Sequence, residues 1–119
     1  MTLPNIFETE TKPAKFSAGD IIFSSGDEGD VMYVIKEGEV DLRLGGRTVE
    51  TVGAEGFFGE MSLIEEGPRT ATAVAKTDCT LIPINERRFE FMVHEVPFFA
   101  LNVMRSLSRR LRNVDAKSL

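Results

Sequence analysis

All ten glycines of this 119-residue chain lie between Gly19 and Gly67, and none follows. Glycine adopts the positive φ angles that tight turns need, so this distribution predicts a turn-rich first part and a helical last part. In the first part, short apolar segments alternate with turn signals at the spacing of an all-β sandwich or barrel. The segments are DIIF, VMYVI, VDLRL, RTVETV, TATAVAKTD and CTLIPI.

The clearest pair of predicted strands surrounds Gly45 and Gly46. The segment VDLRL alternates apolar residues with Asp41 and Arg43, which predicts one apolar and one polar face. Two consecutive glycines are a signal for a two-residue hairpin, because both positions tolerate positive φ. The predicted apolar face consists of Val40, Leu42 and Leu44.

The last part of the chain has the pattern of two helices. Asn85 is a candidate N-cap for the first, and Pro97 suits the first turn of the second, predicted to run to about Val114. The apolar positions are Phe89, Met92 and Val93 in the first helix and Ala100, Met104, Leu107, Leu111 and Val114 in the second. The second stripe fits either a coiled-coil pair with another copy or packing on the β part, and the sequence leaves both open.

Charge and composition exclude several classes of protein. The net charge is −5, which argues against nucleic-acid binding through the body of the domain. From residue 105 onward five basic residues accompany one acidic residue, as suits the C-terminal part of a helix. No apolar run reaches the roughly 18 residues of a membrane helix, and the start of the chain is acidic and polar, unlike a secretory signal. We therefore expect a cytoplasmic protein that does not bind membranes.

The residues that catalysis or metal binding would use are few. Cys79 is the one cysteine, and its strand-like surroundings predict a buried, inert thiol in a reducing compartment. His94 is the one histidine, and it has no cysteine or acid at the spacing of a metal site. No nucleophile-elbow motif accompanies it, so we expect His94 to be a surface or helix-packing residue. The sequence therefore predicts neither an enzyme nor a metalloprotein.

The stretch FGEMSLIEEGPRTATA, residues 58–73, has the composition of an anion site. A helix that begins in EMSLI would leave the N–H groups of Met61 and Ser62 without intrahelical acceptors. Gly59 would let a ligand approach the main chain closely. Arg69 follows ten residues after Gly59, and its planar guanidinium can match two phosphate oxygens at once.

Two neighbouring residues extend this hypothesis. Thr70 adds a hydroxyl group beside Arg69, and Glu60 can accept a hydrogen bond from a sugar hydroxyl, as acidic residues do with ribose. The alternative is that Glu60 only favours a helix N-terminus and that Arg69 only pairs with Glu65 or Glu66 on the surface. Spacing alone leaves these two interpretations open.

The order of glycine and apolar residues resembles the cyclic-nucleotide-binding domain of the catabolite activator protein and protein kinase A regulatory subunit family, over nearly the whole chain. The stretch FGEMSLIEEGPRTATAVA resembles the phosphate-binding cassette, the most specific signature of that family. NERRFEFMV and VPFFALNVMRSLSRRLR resemble its hinge helix and the long helix that follows. The framework residues, in order, are Phe16, Gly19, Ile22, Gly26, Gly29, Asp30, Tyr33, Ile35, Gly38 and Val40.

The resemblance implies a role for each residue of the cassette. Glu60 would bind the ribose 2′-hydroxyl and Arg69 the cyclic phosphate. Leu63 corresponds to the apolar switch residue that couples ligand binding to the helices. Arg105 and Arg110 on the last helix are candidates for contacts to the base. The implied ligand-binding residues are Phe58, Gly59, Glu60, Met61, Ser62, Arg69, Thr70 and Ala71.

We therefore expect a single domain over residues 1–119, mainly β, with an antiparallel jelly-roll β-barrel over about residues 14–84. Hinge and lid helices are expected over about residues 85–115. The ligand is expected to be cyclic AMP before cyclic GMP, although Thr70 beside Arg69 is also the arrangement in kinases that respond to cyclic GMP. No metal, cofactor or enzymatic activity is expected.

The same resemblance leads to expectations about partners. The signal would pass through the C-terminal helices to an unidentified effector protein or to a second copy paired through the last helix. The helical segment before the barrel is reduced to about a dozen residues, and we expect no helix-turn-helix domain for DNA. The alternative is a domain of the same fold that has lost its ligand and serves in dimerisation or docking.

Overall fold

The computed structural model describes residues 12–65 and 67–118, with side chains to residue 112. The described part contains eight strands and three helices. The strands are β1 (Ala14–Phe16), β2 (Ile21–Phe23), β3 (Val31–Glu37), β4 (Val40–Leu44), β5 (Arg47–Val52), β6 (Phe57–Phe58), β7 (Thr72–Ala75) and β8 (Cys79–Asn85). The helices are α1 (Met61–Ile64), α2 (Glu86–Glu95) and α3 (Pro97–Ser118).

The strands form two four-stranded antiparallel sheets. One has the order β1-β8-β3-β6 and the other the order β2-β7-β4-β5. Their hydrogen bonds do not join the two sheets into a closed barrel, but the mainly-β antiparallel class with C-terminal helices is confirmed. β3 and β8 make the longest ladder, from the pair Val31–Asn85 to the pair Glu37–Thr80. The central residues of both strands read as apolar runs because they are buried or half-buried on both faces.

The core lies between the sheets. Fully buried apolar side chains from both sheets meet there, and partly buried residues such as Phe16 and Phe23 pack against them. Cys79 belongs to this core, with Sγ 3.2 Å from the carbonyl oxygens of Glu39 and Thr77. The prediction of a buried free thiol is therefore confirmed. The core cluster comprises Ile35, Val40, Leu42, Val52, Phe58, Ala73, Ala75, Cys79 and Leu81.

The predicted hairpin is present between β4 and β5. Gly45 and Gly46 have φ angles of +59° and +77°, and Leu44 pairs with Arg47 across them. Val40 and Leu42 are buried, whereas Leu44, the last residue of β4 before the turn, is 42% exposed. The register of the β4–β5 ladder shifts between Leu42, which pairs with Glu50, and Arg43, which pairs with Thr48, so the extra residue of this irregularity is Val49 on β5.

Residues from Glu86 onward form a second compact unit made of α2 and α3. The rings of Phe89 and Phe99 contact edge to face, with centroids 5.8 Å apart. His94, in the last turn of α2, is exposed, as predicted. Within residues 12–65 and 67–118, no helix is both long and apolar enough to cross a membrane.

The buried face of α3 differs from the predicted apolar stripe. Phe99 and Val103, one turn apart, are buried, whereas Met104 and Leu111 are 59% and 63% exposed. Leu107 is partly buried, and the side chain of Val114 lies outside the described residues. The 4-3 spacing selected one apolar face of a helix that carries apolar residues on more than one side. Pairing with a second copy stays a prediction.

Candidate ligand-binding site

The cassette contains a single helical turn, α1, which begins after Glu60. Gly59 precedes it with φ +82°, a conformation that glycine adopts without strain. The carbonyl oxygen of Glu60 accepts the N–H groups of Leu63 and Ile64 at 3.0 and 3.1 Å. The N–H groups of Met61 and Ser62 precede these donors, so they have no acceptor within the turn. This arrangement is the one predicted from the motif.

The backbone of Arg69 is paired with the loop between β2 and β3. Its N–H donates to the carbonyl of Asp27 at 2.7 Å, and its own carbonyl accepts the N–H of Gly26 at 2.8 Å. The loop is itself closed by a hydrogen bond from the Ser24 N–H to a carboxylate oxygen of Asp27 at 2.9 Å. These bonds fix the direction of the Arg69 side chain, which is only 6% exposed.

The guanidinium of Arg69 is held on three sides. Nη1 donates to the carbonyl of Gly59 at 2.9 Å, and Nη2 donates to the carbonyl of Val31 at 2.7 Å. Cζ lies 4.1 Å from the centroid of the Phe23 ring, within the range of a cation–π contact. The Nε atom is buried and has no hydrogen-bond partner. Because an unpaired buried donor costs about 1–3 kcal/mol, this N–H is suited to an acceptor supplied by a ligand.

Gly29 and Ser62 form the wall beside this unpaired donor. A Cβ atom placed on Gly29 would lie 2.6 Å from Ser62 Oγ, 2.7 Å from Arg69 Cζ, and closer still to Arg69 Nε. Ser62 is also buried, at 7% exposure. The main chain of Gly29, the hydroxyl of Ser62 and the guanidinium of Arg69 therefore enclose one small cradle. Its donors are those that bind anions such as phosphate, so the residues fit the predicted ligand chemistry.

The electrostatics of the cradle are mixed in sign. Burial lowers the pKa of Arg69, while the negative charges of Asp30, Asp27 and Glu60 raise it, and arginine remains protonated at physiological pH. Burial also raises the pKa of Tyr33, and the positive charge of Arg69 opposes that rise. The guanidinium is therefore a buried cation with acidic residues in its vicinity, and its charge favours an anionic ligand.

The structure brings four of the predicted site residues together. Gly59, Glu60, Ser62 and Arg69 meet at the cradle, and the buried Phe58 ring contacts Phe23 at 5.9 Å. Glu60 is 1% exposed, and its negative charge raises the pKa of Arg69. Of the remaining residues, Met61 and Thr70 are exposed, Leu63 and Ala71 are half-buried, and on α3 Arg105 is exposed and Arg110 half-buried. Their roles stay predictions.

The sequence did not assign three groups of this site. Phe23 was part of a strand segment, Gly29 part of a turn and of the family framework, and Val31 contributes only its backbone carbonyl. The signal for Gly29 was its position between two acids in a glycine-rich loop, SSGDEGD. Across residues 12–65 and 67–118, no three side chains of His, Cys, Asp and Glu are grouped to hold a metal ion.

Comparison with known proteins identifies the family. The family model of the cyclic nucleotide-binding domain matches residues 13–95, most of the chain. The chain therefore belongs to the cyclic nucleotide-binding domain family, of the type in catabolite activator proteins and protein kinase A regulatory subunits. The predicted resemblance and fold class are confirmed.

Two curated relatives represent these two branches. The Cyclic AMP receptor protein of Thermus thermophilus is 38% identical over 105 residues, which cover 84% of this chain and 49% of that protein. The cAMP-dependent protein kinase regulatory subunit of Eremothecium gossypii is 44% identical over 73 residues, which cover 61% of this chain and 16% of that protein. The chain thus spans about half the length of the first relative and less of the second.

Solved structures agree with this assignment. The catabolite activator protein of Thermus thermophilus superposes with a TM-score of 0.79 at 34% identity, covering 95% of this chain and 55% of that chain. A structure from work on a cyclic-GMP-dependent signalling pathway that regulates bacterial phytopathogenesis has a TM-score of 0.76 at 30% identity. That superposition covers 95% of this chain and 96% of the other, so the two are nearly equal in length.

Proposed function

We propose that this chain is a sensor domain that binds a cyclic purine nucleotide, cyclic AMP before cyclic GMP, without altering it chemically. The observation that carries the proposal is the buried Arg69, whose Nε–H has no partner and faces the cradle made by Gly29 and Ser62. A cyclic phosphate supplies the negative oxygen acceptor that this donor needs. The relative from Thermus thermophilus is a Cyclic AMP receptor protein, which supports cyclic AMP as the first candidate.

The other cassette residues complete the binding of the nucleotide. The backbone N–H groups of Met61 and Ser62 have no acceptor within the helical turn and would contact the phosphate oxygens. Glu60 would accept the ribose 2′-hydroxyl, a role for which its carboxylate chemistry is suited and phosphate contact is not. A nucleotide therefore provides the acceptor for Arg69 and the donor for Glu60 in one molecule.

Cyclic GMP is the second candidate, and two observations favour it. Thr70 is exposed next to Arg69, where its hydroxyl is accessible to a ligand. The relative of nearly equal length comes from work on a cyclic-GMP-dependent pathway. Arg105 and Arg110 on α3 are the proposed contacts to the base, and they carry the choice between adenine and guanine together with Thr70.

The signal is proposed to leave through α2 and α3. Extra contacts in the ligand-bound conformation would shift the population towards that conformation of the two helices, and Leu63 would couple the ligand to them. The recipient would be an effector protein or a second copy paired through α3. We further propose that the chain acts in the cytoplasm and has no enzymatic activity of its own. A ligand-free docking module of the same fold is the alternative.

A calorimetric titration with cyclic AMP and cyclic GMP tests the proposal. Arg69→Ala should weaken binding about a hundredfold, because it removes charge-assisted hydrogen bonds worth about 3 kcal/mol. Arg69→Lys keeps the charge but loses the planar fork, so it should recover only part of the affinity. Arg43→Ala, at an exposed arginine on β4, is the matched control and should bind as the unmodified chain does.

Three outcomes would count against the proposal. Equal affinities of Arg69→Ala and Arg43→Ala, both folded by circular dichroism, would remove Arg69 from the site. Absence of heat with either nucleotide would favour the docking alternative. Detection of a converted nucleotide by chromatography after the titration would contradict the proposal that the chain is not an enzyme.

A further inference from the structure

Among the residues that the structure describes, the aromatic ring of Phe23 packs against the face of the Arg69 guanidinium. Cζ of Arg69 lies 4.1 Å from the ring centroid, and Cε2 of Phe23 lies 3.4 Å from a Cβ placed on Gly59. The same Cβ would lie 2.8 Å from Nη1 of Arg69. The ring, the guanidinium and the Gly59 main chain are therefore in mutual contact.

Phe23 is itself held by two other aromatic rings. Its centroid lies 6.4 Å from that of Tyr33, with 23° between the ring planes, and 5.9 Å from that of Phe58. Tyr33 and Phe58 stack on each other at 5.4 Å and 25°. Phe58 is fully buried, and β6 pairs with β3 through Tyr33 and Phe58. The ring of Phe23 therefore packs against two aromatic rings of the opposite sheet, those of Tyr33 and Phe58.

The hydrogen bonds of Arg69 fix two of its donors but leave one freedom. Nη1 and Nη2 each donate to a backbone carbonyl, of Gly59 and Val31. Rotation about the line joining these two atoms would turn Nε away from the cradle while nearly preserving both bonds. A ring against the face of the guanidinium opposes that rotation, because tilting would lose the cation–π contact in a partly desolvated place.

We propose that Phe23 is a positioning residue, which holds the Nε–H edge of Arg69 toward the cradle of Gly29 and Ser62 before any ligand arrives. The expected effect of Phe23 on ligand affinity rests on the proposed function, because that effect requires an anionic ligand bound in the cradle. Preorganisation of this kind raises affinity, because the ligand does not have to order the side chain that binds it. Phe23 acts through Arg69 and makes no contact with the nucleotide in this proposal.

The binding test compares substitutions that keep an apolar side chain. Phe23→Leu should weaken cyclic nucleotide binding about tenfold, the effect of losing a desolvated cation–π contact. Phe23→Tyr keeps the ring face and should bind within about twofold of the unmodified chain. Phe16→Leu is the matched control, because Phe16 is also half-buried against the core but belongs to the other sheet, on β1. It should likewise stay within about twofold.

A second measurement reads the position of Arg69 without any ligand. The buried Nε–H should exchange slowly with water and give a ¹H–¹⁵N resonance, assigned by its loss in Arg69→Lys. The ring current of Phe23 should displace this resonance upfield from those of exposed arginines. Phe23→Leu should abolish the displacement, whereas Phe16→Leu should leave it unchanged.

The outcomes separate this inference from the proposed function. Equal affinities of Phe23→Leu and Phe16→Leu, or an Arg69 resonance unmoved by Phe23→Leu, would overturn the positioning role. Should Phe23→Leu not fold, an undisplaced Arg69 resonance in the unmodified chain would overturn it as well. Failure of the unmodified chain to bind either nucleotide would overturn the proposed function, and the resonance alone would then decide the role of Phe23.

Discussion

Substitution of Gly29 by alanine is expected to damage the site without straining the backbone. The φ angle of Gly29 lies outside the positive region, so alanine can adopt the local conformation. The new methyl group would instead meet Arg69 Nε and Cζ and the hydroxyl of Ser62, all closer than 3.0 Å. Ser62 can rotate its hydroxyl away, but Arg69 is tied to the carbonyls of Gly59 and Val31. The guanidinium must therefore move and weaken at least one of these bonds.

The expected magnitude follows from these bonds. A hydrogen bond from a charged donor contributes about 1.5–3 kcal/mol, and the lower chain entropy of unfolded alanine returns about 0.4–1 kcal/mol. Gly29→Ala should thus lower the free energy of unfolding by about 1–2 kcal/mol, a fall in Tm of about 4–8 °C for a chain of this size. Displacement of the Arg69 guanidinium should also cost about 2 kcal/mol of binding free energy, so cyclic nucleotide binding should weaken about thirtyfold.

Thermal unfolding and calorimetric titration measure both effects, with Gly53→Ala as the matched control. A Cβ placed on Gly53 would have no atom within 4 Å, and its φ is not positive, so alanine there should leave affinity unchanged and stability equal or slightly higher. Equal affinity and equal stability of Gly29→Ala and Gly53→Ala would refute the predicted clash with Arg69. Weaker binding at unchanged stability would show instead that the methyl group blocks the ligand without moving Arg69.

Two further predictions concern the hairpin and the tyrosine. Gly46→Ala should lower the free energy of unfolding by about 1–2 kcal/mol, because the φ angle of Gly46 is +77° and no atom within 4 Å of an added Cβ would cause a clash instead. Urea unfolding measures this loss, and calorimetric titration should show unchanged affinity. Unaltered stability would contradict the expected cost of the positive φ angle. Tyr33 is the one tyrosine, and burial raises its pKa above the unfolded value of about 10. The neutral hydroxyl therefore contributes to the stability of the fold below about pH 10, and this contribution is lost as the pH rises through the pKa of the folded state. Tyr33→Phe should flatten this alkaline fall in urea unfolding as the pH rises above about 10, and an identical fall in both proteins would refute the prediction.

The parts of the fold that the sequence predicts are those with a long, regular pattern. β3, β4, β5 and β8 and both C-terminal helices follow from apolar runs or periodicity bounded by turn or capping residues. β1 and β6 have three and two residues, too few to show alternation, so their pairing partners determine them. Spacing alone does not determine which apolar side of α3 is buried, because contacts with another helix, such as Phe89–Phe99, contribute to that choice.

The site divides in the same way. Gly59, Glu60 and Arg69 could be predicted as candidates because their chemistry depends on residue type and close spacing in one segment. The acceptors of Arg69 are the carbonyls of Gly59 and Val31, and a backbone carbonyl has no signature in the side chains. The contact with Phe23 joins residues far apart in the chain, and only the packing of β2 against the cassette reveals it.

The hydrogen bonds of Arg69 also determine how this region opens to solvent. One residue joins the loop at Gly26 and Asp27, the start of β3 at Val31 and the cassette at Gly59, through both its backbone and its side chain. A local unfolding event that frees one of these segments must break bonds that hold the others. The amide protons of Gly26 and Arg69 should therefore exchange with the same opening free energy, as members of one cooperative unit. Segments that lie far apart in the sequence would thus share a single protection factor.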